Sequence, residues 1–188
     1  MNWKKIIPIA AILVVVIGGL AFWQISNSTG GVAPTAATST AGTVLPVTSN
    51  PIKNSSTTPG LSITSAMVED NVDPATGTAM ADRLQLTLKN ATSKSLSGLE
   101  IFYQQKDGTT GKTESYYQKL DPLTLAPNSE TTIYFDNQSG TGHYPENKFS
   151  IYRNSTSQVD FSIEASATGM KLAVATAKKS PGTGEKVD

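Results

Sequence analysis

The segment Lys106–Leu120 comes closest to a nucleotide-binding motif. Its centre reads GTTGKT, and a Lys-Thr pair ends the phosphate-binding loop G-x-x-x-x-G-K-[ST]. Here only two residues separate Gly108 from Gly111, and a lysine stands where the first glycine of the motif belongs. A strand-like pattern follows, so no helix N-terminus is available to bind a phosphate. We therefore predict a hairpin loop and no bound nucleotide.

His143, the single histidine, is the residue best suited to acid–base catalysis. A catalytic triad needs an ordered histidine beside an activated nucleophile, and no nucleophile-elbow motif surrounds any serine. Without cysteine, a single histidine leaves only carboxylates as further zinc ligands, so we predict no zinc site. We expect His143 to lie in a loop, packed on Tyr144 or facing solvent. We predict no enzymatic activity, no catalytic residues and no cofactor.

The acidic stretch EDNVDPATGTAMAD holds the weak candidates for metal binding. Asp70, Asn71, Asp73 and Asp82 carry the oxygen atoms that Ca²⁺ prefers as ligands. Their spacing does not match an EF-hand loop. The alternative is a solvated turn in which Asp and Asn side chains cap the backbone and Pro74 restricts the chain. We favour the turn and predict no metal site.

The aromatic residues are the candidates for partner binding. If alternation holds, Phe102, Tyr134 and Tyr152 lie on the polar faces of their strands, and either Tyr116 or Tyr117 joins them. Exposed rings on one face would form a platform for a glycan or a partner protein, with Tyr116 as the fourth candidate. The alternative, which we favour, is cross-strand pairing or cover by a neighbouring segment.

Short alternating segments separated by turn residues must position these side chains. The segment 61–68 is expected to bury Leu61, Ile63 and Met67, and 83–89 alternates through its leucines. The predicted strands are 61–68, 83–89, 99–105, 113–120, 130–136, 148–153 and 157–166, with a weaker eighth at 170–177. This pattern predicts an all-β fold, an antiparallel immunoglobulin-like β-sandwich of 7–8 strands at residues 61–177.

An uncharged apolar segment precedes this domain. Residues 6–23 run for 18 residues without charge, long enough to cross a bilayer. Trp3 and Trp23 flank the segment at the positions where tryptophan rings favour the membrane interface, and Lys4 and Lys5 lie on its N-terminal side. We predict an uncleaved transmembrane helix with residues 1–5 in the cytoplasm. A cleaved signal peptide, cut after GLA or TAA, is the alternative.

Residues 24–60 are rich in Ser, Thr, Pro and Ala, with Lys53 as the single charge. So few bulky apolar side chains cannot offset the entropy of ordering the chain, so we predict a disordered stalk. The tail, 178–188, is likewise predicted to be disordered. These assignments place the β-sandwich outside the cell membrane.

Two patterns carry a family resemblance over residues 83–177. LEIFYQQKDG, followed by a turn, a strand and LAPNSETTIYFD, resembles the small exported sandwich domains of the FxLYD family. Asn128 stands where that family has glycine, and asparagine tolerates the left-handed conformation of such a turn. The layout also resembles membrane-anchored exported proteins of Gram-positive bacteria. The resemblance implies an extracytoplasmic domain and brings no site residues.

Charge and layout together predict the class of function. The chain carries 15 basic and 15 acidic residues, with no basic cluster that would favour nucleic acid. We therefore expect a single-pass cell-membrane protein that acts as a non-enzymatic binding or structural module. Its predicted partners are the lipid bilayer through residues 6–23 and a cell-wall glycan or envelope protein. An accessory or sensor subunit of a membrane complex is the alternative function, and an enzyme is a distant third.

Overall fold

The computed structural model describes residues 44–78, 80 and 82–182. The predicted transmembrane helix at 6–23, its flanking residues Trp3, Lys4, Lys5 and Trp23, and the first part of the predicted stalk lie outside these residues. Among the residues described, none of the helices has the length and apolar character that a membrane crossing requires.

Eight strands form a β-sandwich of two four-stranded sheets. The first sheet has the order β1-β2-β5-β6 and the second the order β4-β3-β7-β8. The strands are β1 Leu61–Glu69, β2 Arg83–Asn90, β3 Glu100–Asp107, β4 Thr113–Lys119, β5 Ser129–Phe135, β6 His143–Tyr144, β7 Val159–Ser166 and β8 Ala173–Lys179, with one short helix, α1, at Ile151–Asn154. The pairings are antiparallel except for β5 with β6. The predicted all-β sandwich is confirmed at this level.

The core lies between the sheets and follows the alternation of the sequence. In β2, Leu84, Leu86 and Leu88 are buried, and the residues between them face outward. In β3, Ile101 and Tyr103 point inward in the same way. Period-two alternation sends every second side chain to one face, so burying the apolar set fixes the register of each strand.

The predicted strand at 148–153 is wrong. Residues 151–154 form the single helical turn α1, and the preceding two-residue strand β6 ends at Tyr144. The turn forms because Asn147 Oδ1 accepts the Phe149 N–H at 2.9 Å and the backbone N–H of Ile151 is bound by Glu114 at 3.0 Å. These side-chain acceptors compete with strand pairing for the backbone donors.

The predicted inward face of β1 is wrong in its second half. The pairing register shifts between Ile63 and Ser65, so the alternation changes phase there. Val68 is 4% exposed, whereas Met67 is 37% exposed. An extra residue in one strand exchanges the faces of all side chains that follow it.

Residues 44–60, which we call the strap, pack against the second sheet. The Val47 N–H donates to Ser115 O at 2.8 Å, and Asn50 Nδ2 donates to Glu164 Oε2 at 2.7 Å. Ile52 is 9% exposed. The predicted disordered stalk is therefore corrected for residues 44–60, which belong to the folded domain. The strap has few bulky apolar side chains, and the side-chain amides of Asn50 and Asn54 attach it to β7 by hydrogen bonds instead.

The folded domain also extends further at its C-terminal end than predicted. The predicted tail began at 178, but β8 continues to Lys179, whose side chain is buried. Gly182 N donates to Thr156 O at 2.8 Å. The prediction of a disordered tail is corrected for residues 178–182 because these contacts hold them on the sandwich.

The GTTGKT segment forms the β3–β4 hairpin loop, as predicted. The Asp107 carboxylate accepts the backbone N–H groups of Thr109 at 2.9 Å and Thr110 at 2.7 Å, and it also accepts the Ser155 hydroxyl. Gly111 has φ 68°, a conformation that favours glycine. In the other turn singled out by its sequence, Asn128 has φ 50°, which confirms the left-handed conformation expected there.

The ionisation of Asp107 is expected to make the free energy of unfolding depend on pH in the acid range. Its hydrogen bonds, above all the one from Ser155, hold the pKa of this carboxyl well below its ordinary value. A lowered folded-state pKa means that the stabilisation is present above about pH 4, the ordinary value, and is lost as the pH falls below it. We expect Asp107→Asn to flatten this loss, measured by urea unfolding from about pH 6 to about pH 2. Parallel curves for the two proteins would contradict the assignment.

Candidate functional site

A groove crosses the outer face of the second sheet. Cross-strand register places Phe102 opposite Glu164, and Glu164 opposite Val174, in one row across β3, β7 and β8. The next row is formed by Gln104, Ser162 and Thr176. These side chains line a groove of about 550 Å³, which we call the outer-face groove. Two apolar side chains thus lie beside several hydroxyl, amide and carboxylate groups.

The strap orders one polar group of this groove, and strand β4 orders another. Asn50 holds the Glu164 carboxylate by the 2.7 Å hydrogen bond, and Gln104 Nε2 donates to Ser115 Oγ at 3.2 Å. A polar side chain fixed before binding loses less conformational freedom when a ligand arrives. The groove is therefore partly preorganised by a segment that precedes the sandwich in the chain.

The groove offers apolar surfaces and hydrogen-bonding groups side by side. Phe102 offers a ring face and Val174, 71% exposed, an aliphatic surface, while Glu164 and Gln104 offer acceptors for hydroxyl groups. Glycoside hydrolysis generally uses a pair of carboxyl groups on either side of the bond that is cleaved. Among the residues that the structure describes, Glu164 is the single carboxylate lining the groove.

The predicted aromatic candidates do not form one platform. Phe102 lines the outer-face groove, but Tyr134 lies on β5, in the other sheet. Tyr116 and Tyr152 are each 1% exposed and belong to the core. Their assignment as partner-binding residues is therefore corrected. Tyr152 faces the core, not the polar face that alternation predicted, because it lies in α1 and not on a strand.

The Tyr116–Tyr117 pair divides between the two faces of β4. Tyr116 points inward, stacks on Tyr103 at 5.3 Å between ring centroids, and donates its hydroxyl to Glu114 at 2.7 Å. Burial raises the pKa of Tyr116. Tyr117 points outward and donates to Glu100. Burial and the Glu100 contact raise the pKa of Tyr117 to about 12.

The candidate calcium ligands are used in ion pairs and turns. Asp70 pairs with Lys179 at 3.2 Å, Asp82 pairs with Arg153, and Asp73 accepts the Ala75 N–H at 2.8 Å. Among the residues that the structure describes, no three carboxylate, histidine or cysteine side chains are grouped to hold a metal ion. The carboxylates of Asp70, Asp73 and Asp82 are therefore each engaged by a different partner, and Asn71 donates its side-chain amide to Glu69 at 3.3 Å.

A buried network of charges fills this end of the sandwich. Arg153 contacts both Asp82 and Glu146, and Tyr152 donates its hydroxyl to Glu146 at 2.7 Å. Burial raises the pKa of Asp82 and lowers that of Arg153, although each partner's charge opposes the other's shift. No periodic pattern marks this network, because Asp82 is 64 positions from Glu146 and 71 positions from Arg153 in the sequence.

His143 lies in β6 and packs on Tyr134, not on Tyr144 as expected. The two rings are stacked with centroids 5.1 Å apart, and His143 Nδ1 lies 2.9 Å from Asp136 Oδ2. The ring lines a cleft of about 580 Å³ bounded by the segments 121–124 and 140–144. Asp136 orients the imidazole, as in a catalytic dyad. Within the described chain, no serine or threonine hydroxyl is hydrogen-bonded to Nε2.

Phe149 is a surface residue that the sequence pattern did not reveal. It is 75% exposed, although it lies between two buried polar residues, Asn147 and Ser150. Asn147 Nδ2 donates to the Tyr116 hydroxyl at 3.1 Å, which fixes the loop to the core. The aromatic side chain is therefore presented to solvent on a restrained loop. The exposure of Phe149 was not predicted because the sequence pattern indicated a strand at 148–153.

Comparisons with known proteins assign no family. No protein-family model matches the chain, and no curated protein matches it. Among solved structures, the sporulation control protein Spo0M from Bacillus subtilis is similar, with a TM-score of 0.35 and 8% sequence identity. The match covers 65% of this chain and 49% of that protein, so the chain spans about half of its length. A likeness at this level carries no argument about function.

Proposed function

We propose that this protein is a single-pass membrane protein whose β-sandwich is extracytoplasmic and immunoglobulin-like. The apolar segment 6–23, with lysines on its N-terminal side, supports the anchor and its orientation. The strand order supports the fold type, since β1-β2-β5 and β4-β3-β7-β8 correspond to A-B-E and C′-C-F-G of immunoglobulin-like sandwiches. The resemblance to FxLYD domains agrees with this placement.

The function that the geometry supports best is non-enzymatic binding of a cell-wall glycan in the outer-face groove. The row of Phe102, Glu164 and Val174 carries this proposal. A sugar ring has an apolar face that packs on an aromatic ring, and its hydroxyl groups need fixed acceptors beside that ring. The groove offers both within two adjacent cross-strand rows.

Replacing Phe102 with alanine tests this function. We expect the dissociation constant for purified, insoluble wall polysaccharide to rise about tenfold, which corresponds to about 1.4 kcal/mol. The measurement is co-sedimentation of the purified protein with increasing amounts of polysaccharide. Tyr134→Ala is the matched control because Tyr134 is a half-buried aromatic residue on the opposite sheet. Equal losses in both variants, or no loss in Phe102→Ala, would reject the groove as the binding site.

A second function, as an accessory or sensor subunit of a membrane complex, is favoured by Phe149. A restrained, exposed aromatic residue is typical of the anchors that dominate protein–protein contact energy. In this case Phe149→Ala should weaken association with the complex by about tenfold or more while leaving polysaccharide binding unchanged. Quantitative in-cell crosslinking from residue 149, compared with crosslinking from residue 102, separates the two functions.

A further inference from the structure

The carboxylate of Glu164 in the outer-face groove is only partly satisfied by the protein. Asn50 Nδ2 donates to its Oε2 at 2.7 Å, and no described residue donates to its Oε1. Among the residues that the structure describes, no lysine or arginine forms an ion pair with Glu164 or lines the groove. The strap therefore fixes a half-buried carboxylate and leaves one of its oxygen atoms available to a ligand.

Two lysines on the same face of the sheet are placed to balance a different carboxylate. Lys106 and Lys178 stand on either side of Asp160 in the cross-strand register, and Lys178 Nζ lies 3.7 Å from Asp160 Oδ1. Asp160 precedes Glu164 by four residues on β7, about 13 Å at the rise of a strand. This separation exceeds the Debye length of about 8 Å at physiological ionic strength. These lysines therefore leave the negative charge of the groove unbalanced.

The Phe102 ring lies beside this carboxylate. Phe102 and Glu164 are direct cross-strand partners on β3 and β7, which places their Cβ atoms about 4.5–5.5 Å apart. A cation is attracted to the face of an aromatic ring when it lies within about 6 Å of the ring centroid. One cation can therefore contact the carboxylate and the ring together. Both contacts favour a positively charged ligand group over a neutral one.

The other groups of the groove indicate which kind of cation fits. A quaternary ammonium is bound by a cage of aromatic rings, whereas Phe102 is the single aromatic residue among the described residues that line the groove. A primary ammonium instead donates hydrogen bonds, which Glu164 Oε1 can accept. Gln104, Ser162 and Thr176 form the next cross-strand row and can bind the hydroxyl groups of a sugar. This combination fits a sugar that carries a free amine.

We propose that the ligand of the outer-face groove is a glycan of amino sugars whose amines are free and protonated, and that Glu164 determines this specificity. The proposal rests on the glycan-binding function and narrows its substrate class. Glu164 binds the ammonium group, Phe102 packs on the sugar beside it, and Asn50 holds the carboxylate in place. N-acetylation removes the charge of the amine, so an N-acetylated glycan binds more weakly.

Two tetrasaccharides test this specificity, β-1,4-linked glucosamine and its fully N-acetylated form. Each is titrated into the purified full-length protein in nonionic detergent, and binding is measured by calorimetry at a mildly acidic pH that keeps the amines protonated. We expect a dissociation constant about tenfold lower for the glucosamine form. Glu164→Gln can still accept the Asn50 hydrogen bond but has no charge, so it should reduce this preference to about twofold or less.

The matched control is Asp160→Asn, which also replaces a carboxylate of β7 with an amide but lies outside the groove. This variant should keep the tenfold preference. Equal dissociation constants for the two sugars in the wild type, or a preference that persists in Glu164→Gln, would overturn the specificity. Neither result affects the glycan-binding function, which co-sedimentation of Phe102→Ala with wall polysaccharide tests independently.

A peptide of lysines presents the same ammonium group without a sugar. We expect tetralysine to bind more weakly than the glucosamine tetrasaccharide, because it lacks the hydroxyl groups that Gln104, Ser162 and Thr176 can bind. Tighter binding of tetralysine would assign the groove to a protein partner and overturn the proposal. The absence of binding to either tetrasaccharide would also overturn it, whereas sedimentation with wall polysaccharide would then still support glycan binding.

Discussion

Replacing Arg153 with methionine is expected to lower the free energy of unfolding by about 3–5 kcal/mol. Arg153 is the cation that contacts both Asp82 and Glu146, whose side chains are 3% and 2% exposed. Methionine fills a similar volume but leaves two buried carboxylates without this partner. Removing one member of a buried ion pair costs more than the pair itself contributes. Urea unfolding at neutral pH measures the change.

The control for this substitution is Lys89→Met. Lys89 and Glu130 pair at 3.3 Å, but their side chains are 46% and 47% exposed, so we expect a change of less than about 1 kcal/mol. Because burial raises the pKa of Asp82, this group favours the folded state below its ordinary pKa, and the benefit is lost as the pH rises. Arg153→Met should therefore regain part of its stability in acid. Equal effects of the two substitutions at neutral pH would contradict a buried network.

Asn90→Asp is the second substitution with a large expected effect, a loss of about 3 kcal/mol. Asn90 is fully buried at the end of β2, and its Nδ2 donates to the carbonyl oxygens of Lys94, Leu125 and Ala126 at 2.7, 3.1 and 2.9 Å. Aspartate keeps the shape but places an acceptor against three acceptors. The connections β2–β3 and β4–β5 lose the side chain that joins them.

The matched control is Asn154→Asp, the same chemical change at an exposed position. Asn154 Nδ2 donates only to Ser150 O, at 3.1 Å, so we expect a loss of less than about 1 kcal/mol. Both variants are compared with the wild type by urea unfolding. Similar small losses would mean that the connections do not depend on Asn90.

The sheets could be predicted from the sequence because local alternation records which side chains are buried. The leucines of β2 and the pair Ile101 and Tyr103 of β3 lie where that pattern puts them. The pattern failed at β1, where a shift in register moved Met67 outward. It also failed at α1, where Glu114 and Asn147 compete for backbone donors. Neither event leaves a periodic signal.

The candidate site could be predicted only in part, since its features depend on contacts between distant residues. Phe102 was identified because it follows Ile101 on an alternating strand. The part that Glu164 plays in the groove was missed, because the hydrogen bond that Asn50 donates to it spans 114 positions of sequence. Phe149 was missed because its exposure follows from a turn and not from periodicity. The ion pairs of Asp70 with Lys179 and of Asp82 with Arg153 were missed because their partners are also far apart in the sequence.

The strap has a practical consequence for any soluble form of the domain. A protein that begins at residue 61 would lack the strap and with it the Asn50 contact to Glu164. One that begins at residue 44 keeps the groove as the structure has it. Binding studies therefore need the longer form.

The most direct measurement for the proposed binding function is an NMR titration of residues 44–188 with soluble fragments of wall polysaccharide. We predict saturable amide shifts that cluster at Phe102, Gln104, Ser162 and Thr176, with no shifts for Tyr134. Saturable shifts that cluster at His143 or Phe149, or the absence of saturable shifts at any concentration of fragment, would contradict glycan binding in the outer-face groove.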